Sequence, residues 1–131
     1  MELALAAEEP GIQVLSPYSR SIKVLFAPDR SAVTELMFSV VSIDPGSQTD
    51  YHVHDRPELI YVVSGDGSFT VDDKTVPIAG ETALYVRTGE WHQLRSTGPD
   101  PLKLATVFVP PYTAEENYDR CLSAARSAAS A

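Results

Sequence analysis

A chain of 131 residues, 44% hydrophobic and 21% charged, has enough apolar material for one core and too much for a disordered segment. Ten Lys and Arg against eighteen Asp and Glu leave a formal charge of −8, and no basic cluster interrupts it, which excludes nucleic acid and anionic membrane surfaces as partners. The single cysteine, Cys121, excludes an intramolecular disulfide and a thiolate metal cluster.

The N-terminal stretch "MELALAAEEPG" lacks the basic start and the long apolar run of an export signal, and no segment approaches a membrane span. A cytoplasmic location is the expectation. Residues 1–19 read as an N-terminal extension, 20–112 as one globular unit and 113–131 as a helix with a tail. From residue 21 onward, short β-type runs alternate with turn residues. "SIKVLF" (21–26) stops at "APDRS", and "LMFSVVSI" (36–43) stops at "DPGSQ". "LIYVVSG" (59–65) leads through "GDG" into "SFTVD" (68–72), which predicts a hairpin across Gly65. "DDK" (72–74) is a second tight turn before "TVPI" (75–78). "TALYV" (82–86), "WHQLRS" (91–96) and "LKLATVFV" (102–109) complete about eight strands. Many short strands without intervening helices predict an all-β antiparallel sandwich or barrel.

The pattern changes at Pro110 and Pro111. Thr113 followed three residues later by Glu116 is a capping box, and Tyr118, Cys121, Leu122 and Ala125 recur at helical spacing. One short C-terminal helix is expected, packed on the barrel or on a second subunit.

The chemistry concentrates in "YHVHDRPELIYVVSG" (51–65). Residues i and i+2 of a strand face the same side, so His52 and His54 aim into one space. Glu58, after the break at Pro57, restarts a strand on that same inner side. His92, the only other histidine, re-enters the barrel after the turn at Gly89. Three imidazoles and a carboxylate suit one divalent transition metal per chain (Fe, Mn, Ni or Zn, with Cu also open), and four protein ligands leave octahedral positions free for a small molecule.

The spacing Gly46, five residues, His52-x-His54, three residues, Glu58, six residues, Gly65 resembles the first motif of the cupin superfamily. The second motif of that family is kept at Gly89 and His92. It departs at Arg87, where proline is usual, at Ser96, where asparagine is usual, and at Gly80, one residue too far upstream. The resemblance covers residues 20 to 112. It implies a double-stranded β-helix, or jelly-roll barrel, with His52, His54, Glu58 and His92 as metal ligands. It also implies a homodimer through strand exchange or sheet packing, and the apolar segment "IQVLSPYSRSIKVLF" is suited to cover a partner's sheet.

Around the metal, Ile60, Tyr61, Phe69, Leu94 and Phe108 are the expected pocket wall, with Tyr85 and Trp91 as further aromatic candidates. Arg87 is a candidate clamp for an anionic substrate. Gln48 and Asp50 share strand parity with the histidines and are placed to orient an imidazole N–H. The fold hosts many activities. Two readings stand. One is a metal-dependent enzyme, either a dioxygenase or a non-redox lyase, isomerase or cyclase, on a substrate that chelates the metal through oxygen atoms, with Glu58 as a base. The other is a sugar- or metabolite-binding sensor without catalysis.

Overall fold

The computed structural model describes residues 1–131, and the β-forming runs fold as strands close to where the sequence puts them. In chain order they are β1 (Ile12–Val14), β2 (Arg20–Phe26), β3 (Met37–Ile43), β4 (Glu58–Ser64), β5 (Asp66–Val71), β6 (Lys74–Ala79), β7 (Thr82–Val86), β8 (His92–Ser96) and β9 (Leu102–Phe108), followed by the helix α1 (Ala114–Ala129). The strands form a six-stranded sheet, β1-β2-β3-β9-β4-β7, and a three-stranded sheet, β6-β5-β8. Every pairing is antiparallel. This is the expected all-β jelly-roll with one C-terminal helix. No helix is long and apolar enough to cross a membrane.

Two expectations need correction or refinement. The hairpin across Gly65 does not form, because β4 pairs with β7 and β9 while β5 pairs with β6 and β8. Gly65 carries the chain from one sheet to the other, with φ at 93° and a position where a Cβ would stand 2.5 Å from the Pro101 carbonyl oxygen. The tight turn at Asp72 and Asp73 does close a hairpin, between β5 and β6. At the N-terminus, part of the apolar segment forms β1, which extends the chain's own large sheet by pairing Ile12 with Ile22 and Val14 with Arg20.

The inner face of the large sheet supports two apolar clusters. One, including Ile43, Ile60, Val62, Phe69, Leu94 and Leu102, lies under the small sheet. The other, including Val14, Ile22, Val24, Met37 and Phe108, lies under α1, which contributes Ala114, Tyr118, Cys121 and Ala125. Burying side chains of this size stabilises by about 1.5–3 kcal/mol each. The Tyr118 hydroxyl accepts a hydrogen bond from the Val24 amide at 2.8 Å, which pins the helix to β2. The helix thus replaces the small sheet as cover at one end of the barrel, and the space between the two clusters is left for a site.

The capping box is present: Glu116 N–H donates to Thr113 Oγ1 at 3.0 Å, and Thr113 N–H donates to Glu116 Oε1 at 2.9 Å. A second cap comes from Asp29, which accepts from the Ala114 and Glu115 amides at 2.7 and 3.1 Å. Partial burial pushes the Asp29 carboxyl up, but those two amide bonds outweigh it and hold the group below its ordinary value. A carboxylate depressed in the folded state contributes stability above its unfolded pKa, and the contribution disappears as pH falls through the folded value. Asp29→Ala is therefore expected to cost about 1 kcal/mol in urea unfolding at neutral pH. That difference from the parent should shrink to nothing in strong acid. An equal deficit at every pH would show that the cap is not what is lost.

Candidate metal centre

The four side chains read from the sequence come together: one ligand atom each from His52, His54, Glu58 and His92, all within 4.8 Å of one another. Backbone geometry explains the convergence. His52 and His92 form an isolated antiparallel bridge, with His52 N–H to His92 O at 3.0 Å and His92 N–H to His52 O at 2.8 Å. Directly opposed residues send their side chains to one face, and the two rings lie 4.3 Å apart. His54 follows in irregular chain rather than in a strand. It packs edge-on against Phe108, ring centres 4.8 Å apart, and its carbonyl accepts from Gly89 N–H at 3.1 Å. Glu58 opens β4 facing inward, with Oε1 3.3 Å from His92 Nε2 and 3.6 Å from His54 Nε2.

The tautomers suit a metal. His52 Nδ1 lies 2.7 Å from the Asp50 carbonyl and His92 Nδ1 lies 2.9 Å from the Glu90 carbonyl. A carbonyl only accepts, so each Nδ1 carries a hydrogen and each Nε2 is the nitrogen left to face the site. Burial first, then the positive Arg120, push His52 down to about 2. Burial and then His52 push His54 to about 2 as well, so both rings stay neutral at neutral pH. His92 moves the other way. Burial pulls it down, but the Glu58 carboxylate and the Glu90 carbonyl outweigh burial and raise it. A divalent cation held among the four atoms would compete with a proton for the His92 Nε2 lone pair. The donor set, three imidazoles and one carboxylate with Nδ1 of His52 and of His92 tied to backbone carbonyls, fits a transition ion.

The turn that presents His92 survives without the usual proline. Arg87 N–H donates to Glu90 Oε1 at 2.7 Å and Glu90 N–H donates to Arg87 O at 3.1 Å, closing the loop. The Arg87 guanidinium lies outside, over the exposed Tyr85 ring, so it is no clamp for a substrate in the barrel. Ser96, in place of asparagine, is fully buried, and its backbone bonds to Gly46 and Ser47.

A cavity of about 50 Å³ adjoins the cluster. Ile60, Leu94 and Phe108 line it, together with Ile22, Val41, Leu104, Thr49, Ser39 and Thr106. Other expected wall residues lie elsewhere. Tyr61, Tyr85 and Trp91 point outward and are exposed, Tyr61 because it alternates with the inward Ile60. Phe69 is buried in the core behind His92 rather than at the cavity surface. Gln48 pairs with the outward-facing Arg95. From Gln48 to His52 is four residues, but from Arg95 to His92 is three, so an extra residue in the segment breaks the parity assumed for Gln48. Asp50 does face in, 3.8 Å from His52 Nδ1, 3.2 Å from Arg120 Nη1 and 3.8 Å from Arg20 Nη2.

Arg20 and Arg120 are the residues the sequence reading missed. Arg20 shares parity with the buried Ile22 and Val24, so a charged residue at an inward position was the available signal. Arg120 lies with Asn117 and Cys121 on one face of α1, at the helical spacing of i, i+3 and i+4, and all three line the cavity.

Residues 39–109 match the family model described as "Cupin domain". The L-ectoine synthase of Vibrio campbellii is 28% identical over 108 residues, covering 82% of each chain. An oxalate-binding protein of Thermotoga maritima is 30% identical over 74 residues, 56% of this chain and 61% of that one. Among solved structures, the ectoine synthase from P. lautus superposes with a TM-score of 0.75 at 20% identity, covering 92% of this chain and 86% of that one. A predicted oxalate decarboxylase from Thermotoga maritima superposes with a TM-score of 0.73 at 22% identity, covering 82% and 98%. At those identities the superpositions speak for the fold.

Proposed function

The chain belongs to the cupin domain family, and from that premise we propose that it is a metal-dependent enzyme performing non-redox chemistry, of lyase or cyclase type, on a small molecule that binds through oxygen atoms. The observation that carries this reading is the convergence of three imidazoles and one carboxylate beside a small internal cavity. His52, His54, Glu58 and His92 would hold the metal. When bound, a divalent ion supplies Lewis-acid polarisation of a substrate oxygen.

The chain's own groups supply the rest. Glu58 Oε1, 3.3 Å from His92 Nε2, is placed to take a proton from a substrate held in the cavity. The Ser39 and Thr106 hydroxyls, 2.6 Å apart on the cavity wall, offer one donor and one acceptor for a polar substituent. Ile60, Leu94 and Phe108 give the same space an apolar wall. Relatives aligned over most of the chain are named synthases, which supports bond rearrangement over oxygen insertion. A second reading, a binding protein without turnover, draws on the small size of the cavity and on the relative named for oxalate binding.

The test reconstitutes metal-stripped protein separately with Zn(II), Mn(II) and Fe(II). Each form is incubated with a panel of hydroxy acids, keto acids and β-dicarbonyls while oxygen uptake and products are followed. Product formed with zinc and without oxygen uptake is the expected result. Oxygen uptake confined to the iron or manganese form would replace it with a dioxygenase. Ligand-dependent thermal stabilisation with no product under any metal would leave the binding reading in its place.

A further inference from the structure

Building on the metal-centre reading, we propose that the cavity selects a small carboxylic acid, and that Arg120 of the C-terminal helix is the residue that selects it, with Arg20 behind it. The proposal stands on the charge balance of the groups beside His52 at the α1 side of the cavity. Two guanidiniums share one carboxylate there: Asp50 Oδ2 is 3.2 Å from Arg120 Nη1, and Asp50 Oδ1 is 3.8 Å from Arg20 Nη2. These three groups carry one net positive charge between them, while the cavity's other carboxylate, Glu58, sits among the histidines.

That charge is a local exception in a chain of formal charge −8, whose overall field repels anions. Arg20 is held in place. Its side chain is 3% exposed, and Nη1 donates to the Tyr18 carbonyl at 2.9 Å. Arg120 donates through Nη1 to Asp50 Oδ2 and through Nη2 to Cys121 Sγ at 3.3 Å, but its Nε is buried with no hydrogen-bond partner, as is Asp50 Oδ1. A buried donor without a partner is a cost that a hydrogen-bonding ligand relieves. The planar fork of a guanidinium matches the two oxygens of a carboxylate.

Arg120 also borders two spaces. It and Asn117 line both the inner cavity and an outer recess that includes Tyr112 and Glu116. A ligand entering from that recess would meet Arg120 before the histidines. Size narrows the class further. At roughly 10–15 Å³ of free volume per water, the cavity of about 50 Å³ has room for roughly three to five waters. An acid of a few carbon atoms fits that space, with its carboxylate on Arg120 and a second oxygen donor reaching the metal ligands. His52 is one residue's reach away, its Nδ1 3.8 Å from Asp50 Oδ1.

The test is isothermal titration calorimetry with malonate and its uncharged diamide, malonamide, on metal-free and zinc-loaded protein, with zinc content measured throughout. Malonate is expected to bind both forms, more tightly with zinc, and malonamide to bind neither form measurably. Arg120→Gln should weaken malonate binding to the metal-free protein at least tenfold while leaving zinc stoichiometry unchanged. Arg120→Lys, which keeps the charge and loses the fork, should fall between. Parent-like malonate affinity in Arg120→Gln would overturn the proposal, as would no malonate binding to the metal-free parent or equal affinity for malonamide. Should the parent fail to hold zinc, the metal reading falls by itself, and the metal-free titrations still decide the carboxylate question.

Discussion

Protein purified without added metal is expected to hold close to one equivalent of a divalent transition ion per chain, and His92→Ala is expected to remove it. His92 is the most consequential of the four because it is fully buried and its Nε2 lies closest to Glu58, at 3.3 Å. Its orientation is fixed from both sides, by the bridge to His52 and by the Glu90 carbonyl on Nδ1. Removing it leaves two imidazoles and a carboxylate without the ring that ties them together. Nitrogen-rich donors select transition ions over Ca²⁺ or Mg²⁺, so elemental analysis should find the former. Because metal binds the folded site and not the unfolded chain, chelation should also lower the melting temperature. Metal at a hundred times its Kd adds about 2.7 kcal/mol. His92→Gln, which keeps a polar side chain of similar size, guards against simple misfolding, with circular dichroism as the check. Undiminished metal in the His52→Ala, His54→Ala double variant would refute the assignment.

Legibility followed the range of the interactions involved. Strand positions depend on runs of Val, Ile, Tyr and Phe between turn residues, and β2 to β9 were readable within two residues, while the three-residue β1 was not read as a strand. The helix start was readable because its cap is a four-residue motif. The clustering of the four metal-capable residues was readable because three of them lie within seven positions and only one further histidine exists. What failed depended on partners distant in the chain. The turn at Gly65 carries no local mark saying that β4 and β5 enter different sheets. Gln48 was misplaced because the extra residue between it and His52 shows only against the opposing segment, Arg95 to His92. Arg20 and Arg120 stand a hundred positions apart and meet only through Asp50, so neither motif nor period joins them. Arg87 drew attention by occupying a motif position, but that position lies on the outer side of its turn.

The second large effect concerns assembly: the chain is expected to run at twice its 14.2 kDa mass in light scattering at micromolar concentration, and Leu59→Lys is expected to return it to a single chain. The reason lies on the outer face of the large sheet, which in a lone chain would face water. Cross-strand register places Tyr85, Leu59, Val107, Phe38 and Phe26 in one continuous row across five strands. Beside it runs a second row, Ala83, Tyr61, Ala105 and Val40, ending at Lys23. Leu59, Tyr61 and Tyr85 are 47%, 43% and 58% exposed, so the β4 and β7 end of this face is apolar and open to water. Contiguous apolar surface of this kind on a folded chain marks an interface. A sheet face packs most directly on a second copy of itself across a two-fold axis. Leu59 sits in the middle of the first row, between Tyr85 and Val107, and a lysine there puts a charge at the centre of the contact. The side chain points away from the core, so the fold and the metal content should survive the substitution. Association driven by apolar burial between chains of charge −8 should also tighten as salt screens their repulsion. A parent mass of 14.2 kDa at every salt concentration would mean that this face stays in water. A dimer undisturbed by Leu59→Lys would move the contact to another surface, with the free edge of β7 the next to test.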